Sequence, residues 1–312
     1  MSMRKSTSAV VMATAVALTV TACGSDSDSG DGKENVKLGF AISALNQPFM
    51  IQMKEGAEAE AKAQGAKITV QDGQDDASTQ ANQMQNFTSQ QVKGIIINPV
   101  DSDAAAPSVK AANNAKIPVI AADRSVNKEK VKATVASDNV EGGKMAAKAI
   151  AEQLGEKGKI LQLRGQVSTS AARERNKGFT EGLKEYPNVK VVAKQPADFL
   201  RDKGLNVTQN VMQSHPDIDG VFAENDEMAL GAIKALGGKA GKDVKIVGFD
   251  GTPDGFKAIK KGTMNVTIAQ QPKELGKMSV RNAMRVVDGT DIQSQIKVPV
   301  KAVTKKNVDR FS

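Results

Sequence analysis

The sequence predicts an α/β fold of two doubly wound lobes, each a parallel sheet covered by helices on both faces. Three observations lead there. From Val36 onward, short runs rich in Val, Ile and Ala alternate with stretches whose apolar residues recur at helical spacing. The strand-like runs are apolar at consecutive positions, as strands buried on both faces must be. The alternation passes through two series, and 312 residues suit two cores of about 150 residues each.

The first series opens on Val36-Lys37-Leu38-Gly39-Phe40-Ala41-Ile42. A helix follows, with Met50, Met53, Ala57 and Ala61 on one face and Gly65 at its end. Lys67-Ile68-Thr69-Val70 is the next strand, then a helix carrying Met84 and Phe87, then the strand Gly94-Ile95-Ile96-Ile97. A further helix leads to Ile117-Pro118-Val119-Ile120. The second series opens at Ala133-Thr134-Val135-Ala136 and continues with strands beginning at Lys159, Val189, Gly220, Val244 and Val266, most of them separated by helices. One helix shows both ends: Asp226 is expected as the N-cap before Met228, Leu230 and Ile233, and Gly237 as the stop.

Residues 1–22 read as a secretory leader. Arg4 and Lys5 precede an apolar run from Ala9 to Val20 that is too short to span a bilayer. Small residues then end at Val20-Thr21-Ala22-Cys23-Gly24, which looks like a bacterial lipobox with Cys23 taking diacylglycerol. Two acyl chains would hold an exported protein at the outer face of the cell membrane. Gly24 to Gly32 has no apolar side chain, so residues 23–35 are expected to be the lipidated cysteine and a flexible tether.

The net charge is +8. Without Arg4 and Lys5 it is +6, and Gly24–Glu34, with four acids and one Lys, contributes −3, which leaves +9 beyond Glu34. Most of this is Lys beside acids, as in Lys54-Glu55 and Lys184-Glu185, which reads as a solvated surface and not a nucleic-acid arm. One His, one Cys and no Trp exclude a Cys/His zinc site, an intrachain disulfide and an aromatic stacking platform. No cofactor or metal is expected.

In doubly wound sheets, ligands bind beyond the carboxyl ends of the strands. The residues there include Asn46 to Met50, Asn98 to Asp101, Asp123-Arg124, Arg164-Gly165, Asn225-Asp226, Phe249-Asp250 and Gln270. Amides, carboxylates, guanidinium groups and phenyl rings in one cleft suit a neutral polyol. Its hydroxyls donate and accept, a planar charged group engages two of them, and rings cover the C–H faces. Enzyme signatures fail: there is no G-x-S-x-G, and Gly241-Lys242 has Leu236 and Asp243 where a phosphate loop needs Gly and Ser or Thr. His215, before Pro216, reads as a surface turn away from the cleft.

Long colinear runs carry a resemblance over Val36 to about Lys301. They include Ile97-Asn98-Pro99 with Asp101-Ser102-Asp103-Ala104, Thr169-Ser170-Ala171-Ala172-Arg173-Glu174-Arg175, and Gln195-Pro196-Ala197-Asp198-Phe199. Asn225-Asp226-Glu227-Met228-Ala229-Leu230-Gly231-Ala232, Val247-Gly248-Phe249-Asp250-Gly251-Thr252-Pro253-Asp254-Gly255 and Thr267-Ile268-Ala269-Gln270 continue them. In these runs the chain resembles the periplasmic sugar-binding proteins of bacterial ABC importers, the ribose-binding group in particular, which have two Rossmann-like lobes. The resemblance implies sugar contacts from Phe49, Asp123 and Arg124 on one lobe. It implies Arg175, Phe199, Asn225, Phe249 and Asp250 on the other, with Gln270 at a crossover. Phe49, Phe199 and Phe249 would sandwich the sugar ring, and Arg173 would stay structural.

Two positions depart from the family: Gln47 stands where Asn is usual, and Met50 where a second Phe is usual. Ribose is the first expectation, with another pentose, allose or a polyol behind it. The resemblance also implies a hinge of three crossings, near Ser137-Asp138, Gln270-Gln271 and Val300-Lys301. The N-terminal lobe would then be 36–137 with 271–300, and the C-terminal lobe 138–270 with 301–312. Sugar contacts from both lobes would favour closure, and the closed monomer would deliver its ligand to a membrane permease. A repressor-like sensor of the same fold and an exported sugar-acting enzyme are the other readings. A leader and lipobox occupy the place of the former's DNA-binding helices.

Overall fold

The computed structural model describes residues 36–311. The leader at 1–22, Cys23 and the segment to residue 35 lie outside the described residues, as does Ser312.

The expected alternation of strand and helix is present, in two six-stranded sheets. The first sheet has the order β11-β5-β4-β3-β1-β2, from β1 (Lys37–Ile42), β2 (Lys67–Asp72), β3 (Gly94–Ile97), β4 (Val119–Ala122), β5 (Ala133–Ser137) and β11 (Gln295–Val298). The second has the order β12-β10-β9-β8-β6-β7, from β6 (Lys157–Arg164), β7 (Asn188–Pro196), β8 (Gly220–Ala223), β9 (Lys245–Asp250), β10 (Val266–Ala269) and β12 (Lys301–Thr304). All pairings are parallel except β10 with β12, an antiparallel edge. The short strands β11 and β12 were not anticipated; of their eight residues only Val298 and Val303 are buried, too weak an apolar signal to read from sequence.

Helices cover both faces of each sheet. Helices α1 (Pro48–Ala63) and α9 (Pro272–Val287) pack with Phe40, Ile96, Ile120 and Val135 on one face of the first sheet. Helices α2 (Ala77–Ser89) and α3 (Ala106–Asn114) pack with Ile95, Ile97 and Val119 on the other. In the second lobe, α4 (Asn139–Gln153) and α5 (Ser170–Gly182) cover the Phe222, Val247 and Ile268 face. Helices α6 (Arg201–Ser214), α7 (Asp226–Leu236) and α8 (Pro253–Lys261) cover the Leu161, Val221 and Ile246 face. Glycines let the helix pairs approach closely: a Cβ at Gly276 would stand 2.0 Å from the Met53 carbonyl, and one at Gly178 would stand 1.9 Å from that of Val140.

The chain passes from the first sheet to the second after β5, returns after β10, and passes again between β11 and β12. The connections touch one another. The Asp138 amide donates to the Val298 carbonyl (3.0 Å), and Gln271 Nε2 donates to the Pro299 carbonyl (2.9 Å). Lys297 Nζ pairs with Asp138 Oδ2 at 3.0 Å.

One expected cap is corrected. Asn225, not Asp226, caps α7: its Oδ1 accepts from the Met228 amide at 2.9 Å. Asp226 is fully buried, and its carboxylate accepts from the Thr252 amide, the Thr252 hydroxyl and the Thr267 hydroxyl. Two adjacent residues both had cap chemistry, and the buried threonines beside the second decided between them. His215 ends α6 before the loop to β8, at the opposite end of the sheet from the strand tips.

Candidate functional site

Beyond the carboxyl ends of the strands, a small cavity of about 20 Å³ lies between the lobes, lined by Gln47, Phe49, Met50, Asp123, Arg124, Ala171, Arg175, Phe199, Asn225, Asp250 and Gln270. Ten of the eleven residues that the sequence nominated for ligand contact are brought together here. Gln47, Phe49 and Met50 come from the start of α1, where Pro48 begins the helix. Asp123 and Arg124 follow β4, Arg175 lies on α5, and Asn225 and Asp250 end the β8 and β9 segments.

Phe249 is the exception. Its ring is fully buried in the core beneath α4, where a Cβ on Gly142 would meet it at 2.6 Å. Side chains alternate along a strand, so a cavity-facing Asp250 turns its neighbour Phe249 to the opposite face. The ring therefore supports the site from beneath, with the Arg175 guanidinium 4.0 Å from its centroid. The expected sandwich of three phenyl rings is thereby corrected to Phe49 and Phe199, with Met50 beside them.

In the second lobe nearly every polar atom has a partner. Arg175 donates from Nε to Asn139 Oδ1 (2.9 Å) and from Nη1 to the Glu224 carbonyl (2.6 Å), and Nη1 lies 3.6 Å from Asp250 Oδ1. Asn225 spends its amide on the α7 cap and on the Phe199 carbonyl (3.1 Å). Gln270 Nε2 donates to Asp250 Oδ1 at 2.7 Å. Burial pushes the Asp250 carboxyl well above its usual range, against the pull of Arg175, and the nearby Asp226 pushes it further.

The first lobe is less complete. Asn98, whose Oδ1 takes the Ser43 amide, donates to Asp123 Oδ2 at 3.3 Å, and Arg124 Nε lies 3.7 Å from the same oxygen. Both residues are 2% exposed, yet Asp123 Oδ1 and Arg124 Nε have no hydrogen-bond partner, and neither does Gln270 Oε1 at the crossing. Burial raises the Asp123 carboxyl despite the adjacent Arg124, and lowers the Arg124 guanidinium despite Asp123. Asp123 (φ 64°), Phe199 (φ 64°) and Asp250 (φ 120°) all have positive φ. Backbone strain of this kind costs about 1–3 kcal/mol per residue and gathers where side chains must be aimed.

Direct contacts close the lobes over the cavity. Ser102, after β3, gives its amide to the Ser168 carbonyl (3.2 Å) and takes the Ser170 amide on its hydroxyl (3.1 Å). The Ser170 hydroxyl accepts from the Ser125 amide at 2.8 Å. Ala171 was not nominated from sequence; it lies four residues before Arg175 on α5, and helical spacing places both on one face. Arg173 stays structural, donating to the Val167 carbonyl. Among the described residues there is no cluster able to hold a metal ion, and no helix long and apolar enough to cross a membrane.

Comparison with known proteins agrees with this architecture. The chain is 44% identical over 306 residues to the ribose import binding protein of Salmonella typhimurium, covering 98% of this chain and 100% of that one. It is 42% identical over 300 residues to the Bacillus subtilis ribose import binding protein, covering 96% and 97%. A Bacillus halodurans ABC transporter solute binding protein, solved with bound myo-inositol, superposes with a TM-score of 0.85 at 33% identity, covering 91% of this chain and 99% of that one. Residues 38–291 match the family described as periplasmic binding protein domain, and with these relatives the chain belongs to that family.

Proposed function

We propose that the protein is the sugar-binding component of an ABC importer, holding D-ribose or a closely related monosaccharide between its lobes and releasing it unchanged to the permease. The observation that carries this reading is the set of unpartnered buried atoms on the cavity wall. Asp123 Oδ1 and Gln270 Oε1 can only accept and Arg124 Nε can only donate, while Phe49 and Phe199 supply apolar cover. Sugar hydroxyls do both, so one small polyol satisfies all three atoms. Each hydrogen bond to a charged partner contributes about 1.5–3 kcal/mol, and leaving the group unmet costs a similar amount. The connections near Ser137-Asp138, Gln270-Gln271 and Val300-Lys301 act as the hinge in this reading. Contacts from both lobes favour the closed form.

The test is a thermal-shift screen over pentoses, hexoses and polyols, followed by calorimetry. Ribose is expected to raise Tm with no product formed, because a ligand bound only by the native state stabilises it. A screen in which no pentose or hexose moves Tm would sink the sugar assignment. A cyclic polyol is the second reading, favoured by the myo-inositol in the Bacillus halodurans protein. Gln47 and Met50 are the cavity residues that would set the choice. We also propose export as a monomer carrying lipid on Cys23; Cys23→Ala is expected to move the protein from the membrane fraction to the soluble one.

A further inference from the structure

The end of the first lobe opposite the cavity carries an arrangement that ligand binding does not use. A lysine stands at or just before the amino end of each of five adjacent parallel strands: Lys67 (β2), Lys37 (β1), Lys93 (β3), Lys116 (β4) and Lys132 (β5). The sheet places them in one row, since the Lys67 amide donates to the Val36 carbonyl, that of Lys93 to Lys37, and that of Lys132 to Val119. At about 4.8 Å per strand the row spans about 20 Å. All five are exposed, and none has an ion-pair partner among the described residues. Beside the row, Lys116, Lys130 and Lys132 border a groove of about 630 Å³ with Ile117, Pro118 and Val131 in its wall.

The second lobe is a built-in control. Helix C-termini, which favour nearby cations, lie at the same end of both sheets. Yet there Lys159 pairs with Asp217, the Asp219 carboxylate takes the Lys159 amide, and Lys245 Nζ is taken by the Lys242 carbonyl. Lys157, Lys190 and Lys242 are also exposed in that lobe and without an ion pair among the described residues, but Asp217, Asp219 and Asp243 precede its strands β8 and β9, so only the first lobe carries an uninterrupted row.

We propose that this lysine row docks the first lobe onto an anionic lipid surface. Val36, the first described residue, enters β1 at this edge. Covalent geometry limits the path from Cys23 to Val36 to about 45 Å, so a lipid on Cys23 keeps the start of β1 within that reach of the headgroups. The proposal rests on the lipid-anchor reading for its setting; its charge chemistry does not need the acyl chains. Docked by its base, the lobe holds its strand tips away from the bilayer, so delivery to the permease requires release from the lipid.

The exported Cys23→Ala chain tests this without acylation, by sedimentation with vesicles of phosphatidylglycerol and phosphatidylcholine or of phosphatidylcholine alone. Binding is expected only to the anionic vesicles and is expected to vanish at about 0.5 M NaCl. Changing Lys37, Lys93 and Lys132 to Gln should weaken it about 100-fold, while Lys157, Lys190 and Lys242 changed to Gln in the second lobe should leave it intact. Sugar affinity, unchanged in both variants, reports that they fold. Equal binding to both vesicle types, or equal loss from both sets of substitutions, would overturn the proposal. So would binding that appears only after Asp26, Asp28, Asp31 and Glu34 are neutralised, because the chain's own acids would then be the occupant. A failed anchor shows separately, as acylated and Cys23→Ala chains fractionating alike from cells.

Discussion

The two lobes share a fold and meet the cavity differently. The second presents side chains already locked in place: Arg175 is held by Asn139, Glu224 and Asp250 over the Phe249 ring, and Asn225 is fixed by the α7 cap and Phe199. The first presents charges whose hydrogen-bonding capacity is only partly used, at Asp123 Oδ1 and Arg124 Nε. One lobe is a preorganised platform, whose cost of ordering is met during folding. The other holds its free valences for the ligand, so discrimination between sugars concentrates there.

The largest expected effect breaks the platform. Arg175→Ala leaves Asp250 buried without its cation, and removing one partner of such a pair costs about 3–5 kcal/mol. Sugar binding should fall below detection by calorimetry while circular dichroism still reports a folded chain. Arg175→Lys should restore little, because a single ammonium cannot reach Asn139, Glu224 and Asp250 as the fork does. Retained affinity in both variants would refute the platform.

Next comes the carboxylate beneath it. Burial raises the Asp226 pKa from its ordinary 3.8 to about 6, against hydrogen bonds from Thr267 and Thr252. The native state then holds this proton more tightly than the unfolded chain, so the contribution of Asp226 to stability is greatest below about pH 4 and declines as pH rises to about 6. Across that range the decline amounts to about 3 kcal/mol, and the raised Asp250 carboxyl acts in the same direction. Denaturant titrations from about pH 4 to 7 should show it, and Asp226→Asn should flatten it. An unchanged slope would show that Asp226 does not titrate there.

In the first lobe, Asp123→Asn should weaken ribose binding by about 1.5–3 kcal/mol, roughly 10- to 100-fold, with Tm unchanged or raised. A buried carboxylate that burial itself disfavours is replaced by a neutral amide. A fall in Tm as large as that of Arg175→Ala would erase the distinction between the lobes. The smallest effect belongs to the serine contact. Ser102→Ala removes one hydroxyl that joins the closed lobes, worth about 0.5–1.5 kcal/mol. All sugars should weaken by the same factor, since no sugar touches it; a sugar-dependent change would place Ser102 in the site.

Much of the site was legible because polar residues after apolar strand runs have few other places to face. Asp123, Arg124, Asn225, Asp250 and Gln270 meet at the cavity from separate strand tips, whereas Arg175, inside α5, was nominated through the resemblance alone. What was misread came from questions that neighbours in space answer. Asn225 and Asp226 both suit a cap, and only Thr252 and Thr267, distant in the chain, assign Asp226 to the interior. Phe249 was expected as a ring partner from the resemblance, although period-two alternation already set it opposite Asp250. The serine contact was invisible, since Ser102 and Ser170 belong to different lobes and serine carries no distinctive pattern.

The sequence by itself determined the alternation of strand and helix, the two series, and the residue types offered at the strand tips. Those are local properties, set by apolar periodicity and by what each side chain can donate or accept. Only the tertiary structure decided which of those groups would be saturated and which left free. It also decided that five lysines far apart in the chain would form one row. Parallel pairing is the physical reason: it brings residues from distant segments to one edge, where hydrogen bonds and burial select among them.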